Sequence, residues 1–266
     1  MLMLLGLALP LAILGFGLGG GSDDDDSVAL EGTDGADTLE GEEGADFIDG
    51  QAGDDIMNGL AGNDTIFGRE GDDVLEGADG DDMLCSGDGD DVVTGNVGQD
   101  LIEGQGGDDF VSGDYGWDNV RGDDGNDTVI GGRGSDLVAG GEGDDVVFGG
   151  IIEGVPLSLD EMVALRDGGS LADINGGIDL RDDSLGNTVT GGGGDDDLII
   201  GSGDLAGGGE GLDTFHIMSE QNGDTEATIA NFNANDDAIT VIVEDTDVEA
   251  DITVADENGD SVIRMG

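Results

Sequence analysis

The sequence has no lysine, one cysteine, one histidine and two prolines among its 266 residues. A single cysteine, Cys85, excludes an intrachain disulfide as the staple of the fold. A single histidine, His216, excludes an H-E-x-x-H zinc site and leaves a Ser-His-Asp arrangement without support. Aromatic residues make up only 3% of the chain, too few for a conventional aromatic-rich core. These absences argue against an enzyme and favour a fold stabilised by bound metal instead.

Acidic residues and glycine are the two types in excess. There are 65 Asp plus Glu against six basic residues, for a net charge of -59, together with 56 Gly. Composition alone is typical of disorder, whereas Gly and Asp at a fixed spacing are typical of a metal-bound solenoid. The negative charge repels phosphates, so nucleic acid is not an expected partner, and neither is an anionic membrane surface.

A nine-residue repeat runs without a gap from residue 32 to residue 148 and occurs thirteen times. Position 4 is always Gly, position 6 is always Asp, position 8 is always aliphatic or Met, and position 1 is Gly except at Ser86. The first six residues suit a turn that needs positive φ. The last three form a short strand whose middle side chain predicts a narrow, continuous core. A carboxylate at position 6 is a hard ligand suited to Ca²⁺, and the Glu and flanking helices of an EF-hand are missing.

This pattern resembles the G-G-x-G-x-D-x-U-x unit of the RTX, or haemolysin-type, calcium-binding repeats. The resemblance implies an all-β fold, a right-handed parallel β-roll (a β-solenoid) with two units per turn. It also implies multiple Ca²⁺ ions, held between turns by backbone carbonyls and the position 6 aspartates. The sequence departs from the family pattern at position 2, which is Gly in only three units. The expected metal ligands are Asp37, Asp46, Asp55, Asp64, Asp73, Asp82, Asp91, Asp100, Asp109, Asp118, Asp127, Asp136, Asp145, Asp196 and Asp213.

The segment before the repeats has two parts. Residues 1–21 are apolar and uncharged, which fits a signal segment or a membrane anchor. The one expected route to a membrane is therefore through residues 1–20. Residues 22–31 form an acidic linker to the roll of residues 32–148.

The segment after the repeats is predicted to hold an insertion, a short return of the roll and a cap. Residues 149–190 interrupt the repeat, and a capping box predicts a small helix near 158–166. Residues 191–216 are a second, degenerate RTX stretch. Residues 217–266 resemble the β segment that closes RTX rolls, with a hairpin around Asn258-Gly259, and such a cap covers the open end of a solenoid.

Position 7 points away from the core, yet it is often apolar. Strand propensity accounts for such residues; alternatively, they form outer stripes that dock the 149–190 insertion, another chain or a surface polymer. Cys85 is also outward, either as an incidental thiol or as a link between chains. The apolar residues at position 7 are Phe47, Ile56, Val74, Met83, Val92, Leu101, Phe110, Leu137 and Val146.

The function expected from the sequence is calcium binding by an extracellular or surface structural protein of a Gram-negative bacterium. Folding should require Ca²⁺, because carboxylates stacked about 4.8 Å apart repel one another. Thirteen aspartates in two columns form eleven neighbouring pairs, hence eleven bridging sites. One alternative is a calcium-dependent adhesin or matrix protein that binds carbohydrate or another surface through an outer sheet face. A second alternative is an accessory module of a secreted polysaccharide-active system.

Overall fold

The computed structural model describes residues 27–153, 179–181, 185–219, 225–243, 252–257 and 260–265. This part of the chain is all-β and contains no helix. Within it, no helix is long and apolar enough to cross a membrane. The predicted N-terminal segment and the predicted helix near 158–166 lie outside the described residues.

The described residues form strands of three to seven residues. In chain order they are β1 Ala29–Glu31, β2 Thr38–Glu40, β3 Phe47–Ala52, β4 Ile56–Asn58, β5 Thr65–Glu70, β6 Val74–Asp79, β7 Met83–Asp88, β8 Val92–Gly98, β9 Leu101–Gly106, β10 Phe110–Gly116, β11 Asn119–Asp124, β12 Thr128–Arg133, β13 Leu137–Glu142, β14 Val146–Phe148, β15 Ile151–Glu153, β16 Asp179–Arg181, β17 Thr188–Gly193, β18 Asp197–Ile200, β19 Leu205–Glu210, β20 Thr214–Ser219, β21 Thr225–Ala230, β22 Ala238–Val243, β23 Ile252–Glu257 and β24 Asp260–Met265.

Successive strands alternate between two sheets and make a parallel β-solenoid of about nine turns. The twelve-stranded sheet has the order β1-β3-β5-β7-β9-β11-β13-β17-β19-β21-β24-β23. The ten-stranded sheet has the order β2-β4-β6-β8-β10-β12-β14-β18-β20-β22. A small antiparallel pair, β15 with β16, stands apart from both. The β-roll expected from the sequence is confirmed.

The pairing register confirms two nine-residue units per turn. Thr65 pairs with Phe47 on one side and with Met83 on the other, a step of 18 residues each way. The strands are longer than predicted: β5 continues through positions 1 to 3 of the next unit, and the turn is confined to positions 4 to 6. The residue at position 2 stays in the sheet with positive φ, as at Arg69 (95°), and the glycine at position 4 also has positive φ, as at Gly71 (129°).

The roll resumes after the insertion in the same columns. Leu137 of β13 pairs with Thr188 of β17, a step of 51 residues, so the chain inserts 33 residues beyond one turn. Residues 187–190, assigned from the sequence to the insertion, therefore lie in the roll. Their turn lacks the glycine at positions 1 and 4, which hid the repeat.

The predicted capping segment, residues 217–266, contains a further turn before any cap. Strand β21 is parallel to β19, and β22 is parallel to β20. Strands β24 and β23 then add antiparallel to β21 and to each other, on either side of residues 258–259. An antiparallel addition stops the parallel stacking and pairs an edge that would otherwise be open.

The core is the column of position 8 side chains, as predicted. All thirteen, from Leu39 to Val147, are at most 3% exposed. Val189, Leu198 and Ala206 continue the column beyond the insertion. Phe215 then contacts Phe232, with ring centroids 6.1 Å apart, at the C-terminal end.

The outer faces of the two sheets differ. On the ten-stranded sheet, a second cluster of outward residues that includes Val92, Phe110 and Phe148 is buried. Gly132 donates its N–H to the carbonyl of Gly150 (3.2 Å), so the start of the insertion runs beside this face. On the twelve-stranded sheet, outward residues such as Phe47, Met83 and Leu137 remain about 40% exposed. Docking of the 149–190 insertion, another chain or a surface polymer on the outer stripes stays a prediction.

Candidate metal centre

The position 6 aspartates form two continuous ladders, one along each edge of the roll. In each ladder the backbone N–H of one member donates to Oδ1 of the member one turn later, at 2.7–3.3 Å. All members are at most 4% exposed. The first ladder is Asp37, Asp55, Asp73, Asp91, Asp109, Asp127, Asp145, Asp196 and Asp213. The second ladder is Asp46, Asp64, Asp82, Asp100, Asp118, Asp136, Asn187 and Asp204.

The structure thus brings all fifteen proposed ligand aspartates into the ladders and adds two members that sequence reasoning missed. Asn187 and Asp204 lie nine residues before Asp196 and Asp213, so counting backwards from the second stretch would have found both. The unit that contains Asn187 was not recognised because it lacks the glycines at positions 1 and 4. Asp204 was not recognised because one residue is missing from its turn, which has 17 residues instead of 18.

Asp109 shows the bonding pattern of a typical rung. Its N–H donates to Oδ1 of Asp127 (2.8 Å), and its own Oδ1 accepts the N–H of Asp91 (2.8 Å). Its carbonyl accepts the N–H of Thr128 (2.8 Å). Its Oδ2, however, is buried with no hydrogen-bond partner. Leaving a buried carboxylate oxygen unpaired is costly, and such an atom signals a missing ligand.

The same orphaned oxygen recurs along most of both ladders. Its regular repetition, rung after rung, indicates a built feature and not a local packing defect. The buried Oδ2 atoms without a hydrogen-bond partner belong to Asp55, Asp64, Asp73, Asp82, Asp91, Asp100, Asp109, Asp118, Asp127, Asp145 and Asp196.

At every rung in this set except Asp91, whose unit has Ser86 at position 1, the orphaned oxygen lies beside the position 1 glycine of its own unit. The point that a Cβ on Gly104 would occupy lies 2.5 Å from Oδ2 of Asp109 and 2.6 Å from the carbonyl oxygen of Gly122. The corresponding point at Gly113 is 2.5 Å from one carbonyl oxygen and 2.6 Å from a ladder carboxylate. The orphaned carboxylate oxygen and the carbonyl oxygen one turn later therefore lie beside the same glycine, and this pair, called the cradle of the rung, consists of the hard oxygen donors that Ca²⁺ prefers. The residues present therefore fit Ca²⁺, and the glycine is needed for space, because its φ is not positive.

Ser86, the one exception to Gly at position 1, fills this space with its own side chain. Its Oγ donates to the carbonyl oxygen of Gly104 at 2.7 Å. That carbonyl is the one that would serve the cradle of Asp91. The Asp91 rung thus differs chemically from its neighbours.

Most of the ladder aspartates have a raised pKa. Burial, joined by repulsion from neighbouring carboxylates at most rungs, raises the pKa of Asp55, Asp100 and Asp196 to about 6 and that of Asp109 to about 9. Hydrogen bonds from backbone N–H groups oppose the shift without cancelling it. The pKa of Asp145 is raised to about 8, and those of Asp73, Asp82, Asp91, Asp118 and Asp127 to about 7.

The ladder rungs differ from a conventional metal site, in which several side chains converge on one ion. No three His, Cys, Asp or Glu side chains converge on one point among the described residues. Each ion would instead be held by a ladder carboxylate and by backbone carbonyls between turns, which are the hard oxygen donors that Ca²⁺ prefers. A cation at that place would keep the carboxylates ionised despite their burial.

A family model described as "RTX calcium-binding nonapeptide repeat (4 copies)" matches the chain at residues 31–66, 58–93, 86–116, 94–129 and 121–151. No curated protein matches the chain. The matched residues are those that build the first and longest stretch of both ladders.

Proposed function

We propose that this chain, an RTX calcium-binding repeat protein, is a structural protein that folds outside the cell when calcium fills its two ladders. Its repeats bind multiple Ca²⁺ ions. The observation that carries the proposal is the row of buried Oδ2 atoms with no partner, nearly all of them beside a position 1 glycine and a carbonyl oxygen of the next turn.

The energetics of the ladders make folding dependent on calcium. Raising the pKa of Asp55 from 3.8 to about 6 corresponds to about 3 kcal/mol at neutral pH. Ten ladder carboxylates carry a shift at least this large. Each of these shifts disfavours the metal-free fold at neutral pH, and a domain is normally stable by only roughly 5–15 kcal/mol. The metal-free roll is therefore expected to unfold at neutral pH, and calcium to restore it.

The same dependence supports an extracellular or cell-surface location. Calcium is millimolar outside cells and far scarcer in the cytosol, so a chain of this kind would stay unfolded until export. RTX repeat proteins are typically secreted by Gram-negative bacteria. Recovery of the native protein only from the cytosolic fraction of its cell would contradict this location.

A structural role is favoured over catalysis. The RTX β-roll is a structural calcium-binding domain. The paired carboxylates stand in the ladders, where calcium would neutralise them. Burial raises the pKa of the Cys85 thiol to about 11, which makes it a poor nucleophile. His216 has Nε2 3.1 Å from Oδ1 of Asp197, an arrangement that ties two neighbouring strands together.

Far-UV circular dichroism of the purified chain in EGTA, in Ca²⁺ and in Mg²⁺ tests the proposal. Coil-like spectra in EGTA and strand spectra in Ca²⁺ are expected. Magnesium should substitute poorly, because it needs shorter, octahedral bonds that a flexible carbonyl cradle does not impose. Full strand content in EGTA at pH 7 would refute calcium-dependent folding.

A further inference from the structure

Six outward side chains on the edge of the second ladder form a patch that differs from the opposite edge of the roll. They occupy positions 3 and 5 of three stacked turns, and Tyr115 pairs in register with Val97 and with Arg133. They include the only tryptophan and the only tyrosine of the chain. This aromatic edge patch consists of Val97, Gln99, Tyr115, Trp117, Arg133 and Ser135, all exposed.

The two rings of the patch have different surroundings. Trp117 is 69% exposed and Tyr115 is 55% exposed. The guanidinium carbon of Arg133 lies 5.3 Å from the centre of the Tyr115 ring, within cation–π range. The arginine thus supports the tyrosine ring, while the indole of Trp117 presents an open apolar surface to solvent.

The patch contains no carboxylate, although the molecule as a whole carries a net charge of -59. The same positions on the opposite edge of the roll are strongly acidic in the four units that precede, separate and follow the three units of the patch. There they hold Asp88, Asp90, Gly106, Asp108, Asp124, Asn126, Glu142 and Asp144. The contrast between two edges built from one repeat shows that the repeat itself does not dictate the composition of the patch.

We propose that the aromatic edge patch binds a neutral oligosaccharide. An exposed indole offers an apolar face on which the C–H face of a sugar ring can stack. Arg133, Gln99 and Ser135 surround it with hydrogen-bond donors for hydroxyl groups. The net charge of the molecule repels anionic ligands, which leaves uncharged sugars as the matching class.

A protein partner fits this patch less well. Three adjacent strands span about 10 Å, and six side chains make up the surface. A stable protein interface needs roughly 800 Å² and 20–30 residues on each side. A second copy of this chain would also bring the same strongly negative charge.

The inference rests on the proposed function, because the patch is assembled by the ladder beneath it. Trp117 immediately precedes Asp118, and Ser135 immediately precedes Asp136, both members of the second ladder. Ladder formation fixes the spacing of the three turns, so binding of sugar should require the calcium-folded roll.

The test is an array of neutral and anionic oligosaccharides probed with the full chain in Ca²⁺, followed by calorimetric titration of the neutral hits. Trp117 is the sole tryptophan, so its emission should shift to the blue when a sugar covers it. Trp117→Asn should weaken binding by about tenfold or more, and Trp117→Phe should recover part of it. Asn occupies position 5 in other units (Asn63), so the variant is compatible with the fold.

Phe47→Ala is the matched control, since Phe47 is also an exposed aromatic residue, on the outer face of the twelve-stranded sheet. Its binding should equal that of the parent chain. Absence of binding to every neutral sugar by a chain that circular dichroism shows to be calcium-folded would overturn the inference and leave calcium-dependent folding intact. Binding unaffected by Trp117→Asn, or self-association that depends on Trp117, would also overturn it. If EGTA fails to unfold the roll, the same titration on the metal-free chain still tests the patch.

Discussion

Replacing Asp109 by Asn separates the charge of a ladder rung from its shape. The amide keeps an oxygen that can accept the N–H of Asp91, as the carboxylate does. The second ladder already contains an amide rung, Asn187, whose oxygen accepts the N–H of Asp136 at 2.9 Å. The substitution therefore preserves the ladder hydrogen bonds and replaces the orphaned anionic oxygen by a neutral amide nitrogen, as at Asn187.

The effect on stability should change sign with calcium. Burial raises the pKa of Asp109 from 3.8 to about 9, so at pH 7 the folded side chain takes up a proton that the unfolded chain lacks. This costs about 4 kcal/mol, at about 1.4 kcal/mol for each pH unit between 3.8 and 7. The Asp109→Asn variant avoids that cost and should be more stable than the parent chain without metal. In calcium the variant lacks one ligand oxygen and should be less stable, by roughly 3–5 kcal/mol.

Stability in calcium is measured by urea unfolding followed by circular dichroism. In EGTA it is measured as the concentration of trimethylamine N-oxide that refolds the chain. The matched control is Glu43→Gln, which makes the same change of charge on an exposed side chain of a turn. The control should change stability by less than about 0.5 kcal/mol in both media. If Asp109→Asn destabilises the chain in both media, or behaves as the control does, the ladder electrostatics are wrong.

Three further outcomes are expected. Gly122→Ala should destabilise the calcium-loaded roll by about 1–3 kcal/mol, because its Cβ would collide with a ladder carboxylate. Gly106→Ala is the control and should be nearly neutral, because its Cβ meets nothing closer than 3.7 Å. If urea unfolding shows equal destabilisation by the two variants, position 1 does not need glycine for space. The metal-free roll should be most stable below pH 3.8 and should lose stability as pH rises through the folded-state pKa values, from about 6 (Asp55) to about 9 (Asp109). Circular dichroism in EGTA should therefore show strand spectra at pH 4 and none at pH 9. Strand spectra that persist at pH 9 would count against the pKa shifts. Cys85, 8% exposed and with its pKa raised to about 11, should react with iodoacetamide slowly in calcium and quickly in EGTA, and equal rates would show that calcium does not order this strand.

Much of the fold could be predicted because each of the thirteen units requires the same residue types at the same positions. An aliphatic residue at position 8 in thirteen units predicts one continuous core column, and all thirteen are buried. An aspartate at position 6 in each unit predicts stacked carboxylates, and the proposed ligands stand in two ladders. No single unit, such as residues 59–67, would have supported either prediction alone.

The remaining features depend on contacts between turns, which the spacing of one unit does not reveal. Position 1 requires glycine because of a carboxylate in its own unit and a carbonyl one turn later, as at Gly104. Strands run past their predicted ends because the residue at position 2 adopts positive φ without leaving the sheet. Asn187 was missed because the ladder needs only a side-chain oxygen there, whereas every predicted ligand was an aspartate. The burial of outward residues such as Val92, Phe110 and Phe148 likewise depends on contacts between neighbouring strands of the ten-stranded sheet.

The number of calcium ions bound per folded chain tests the ladder account most directly. Equilibrium dialysis at millimolar calcium, with bound metal measured per molecule of protein, provides that number. Thirteen aspartates in the first stretch form eleven neighbouring pairs, and the ladders continue beyond the insertion, so about eleven ions or more are expected. One or two ions bound to a fully folded chain would contradict the ladders as the basis of folding.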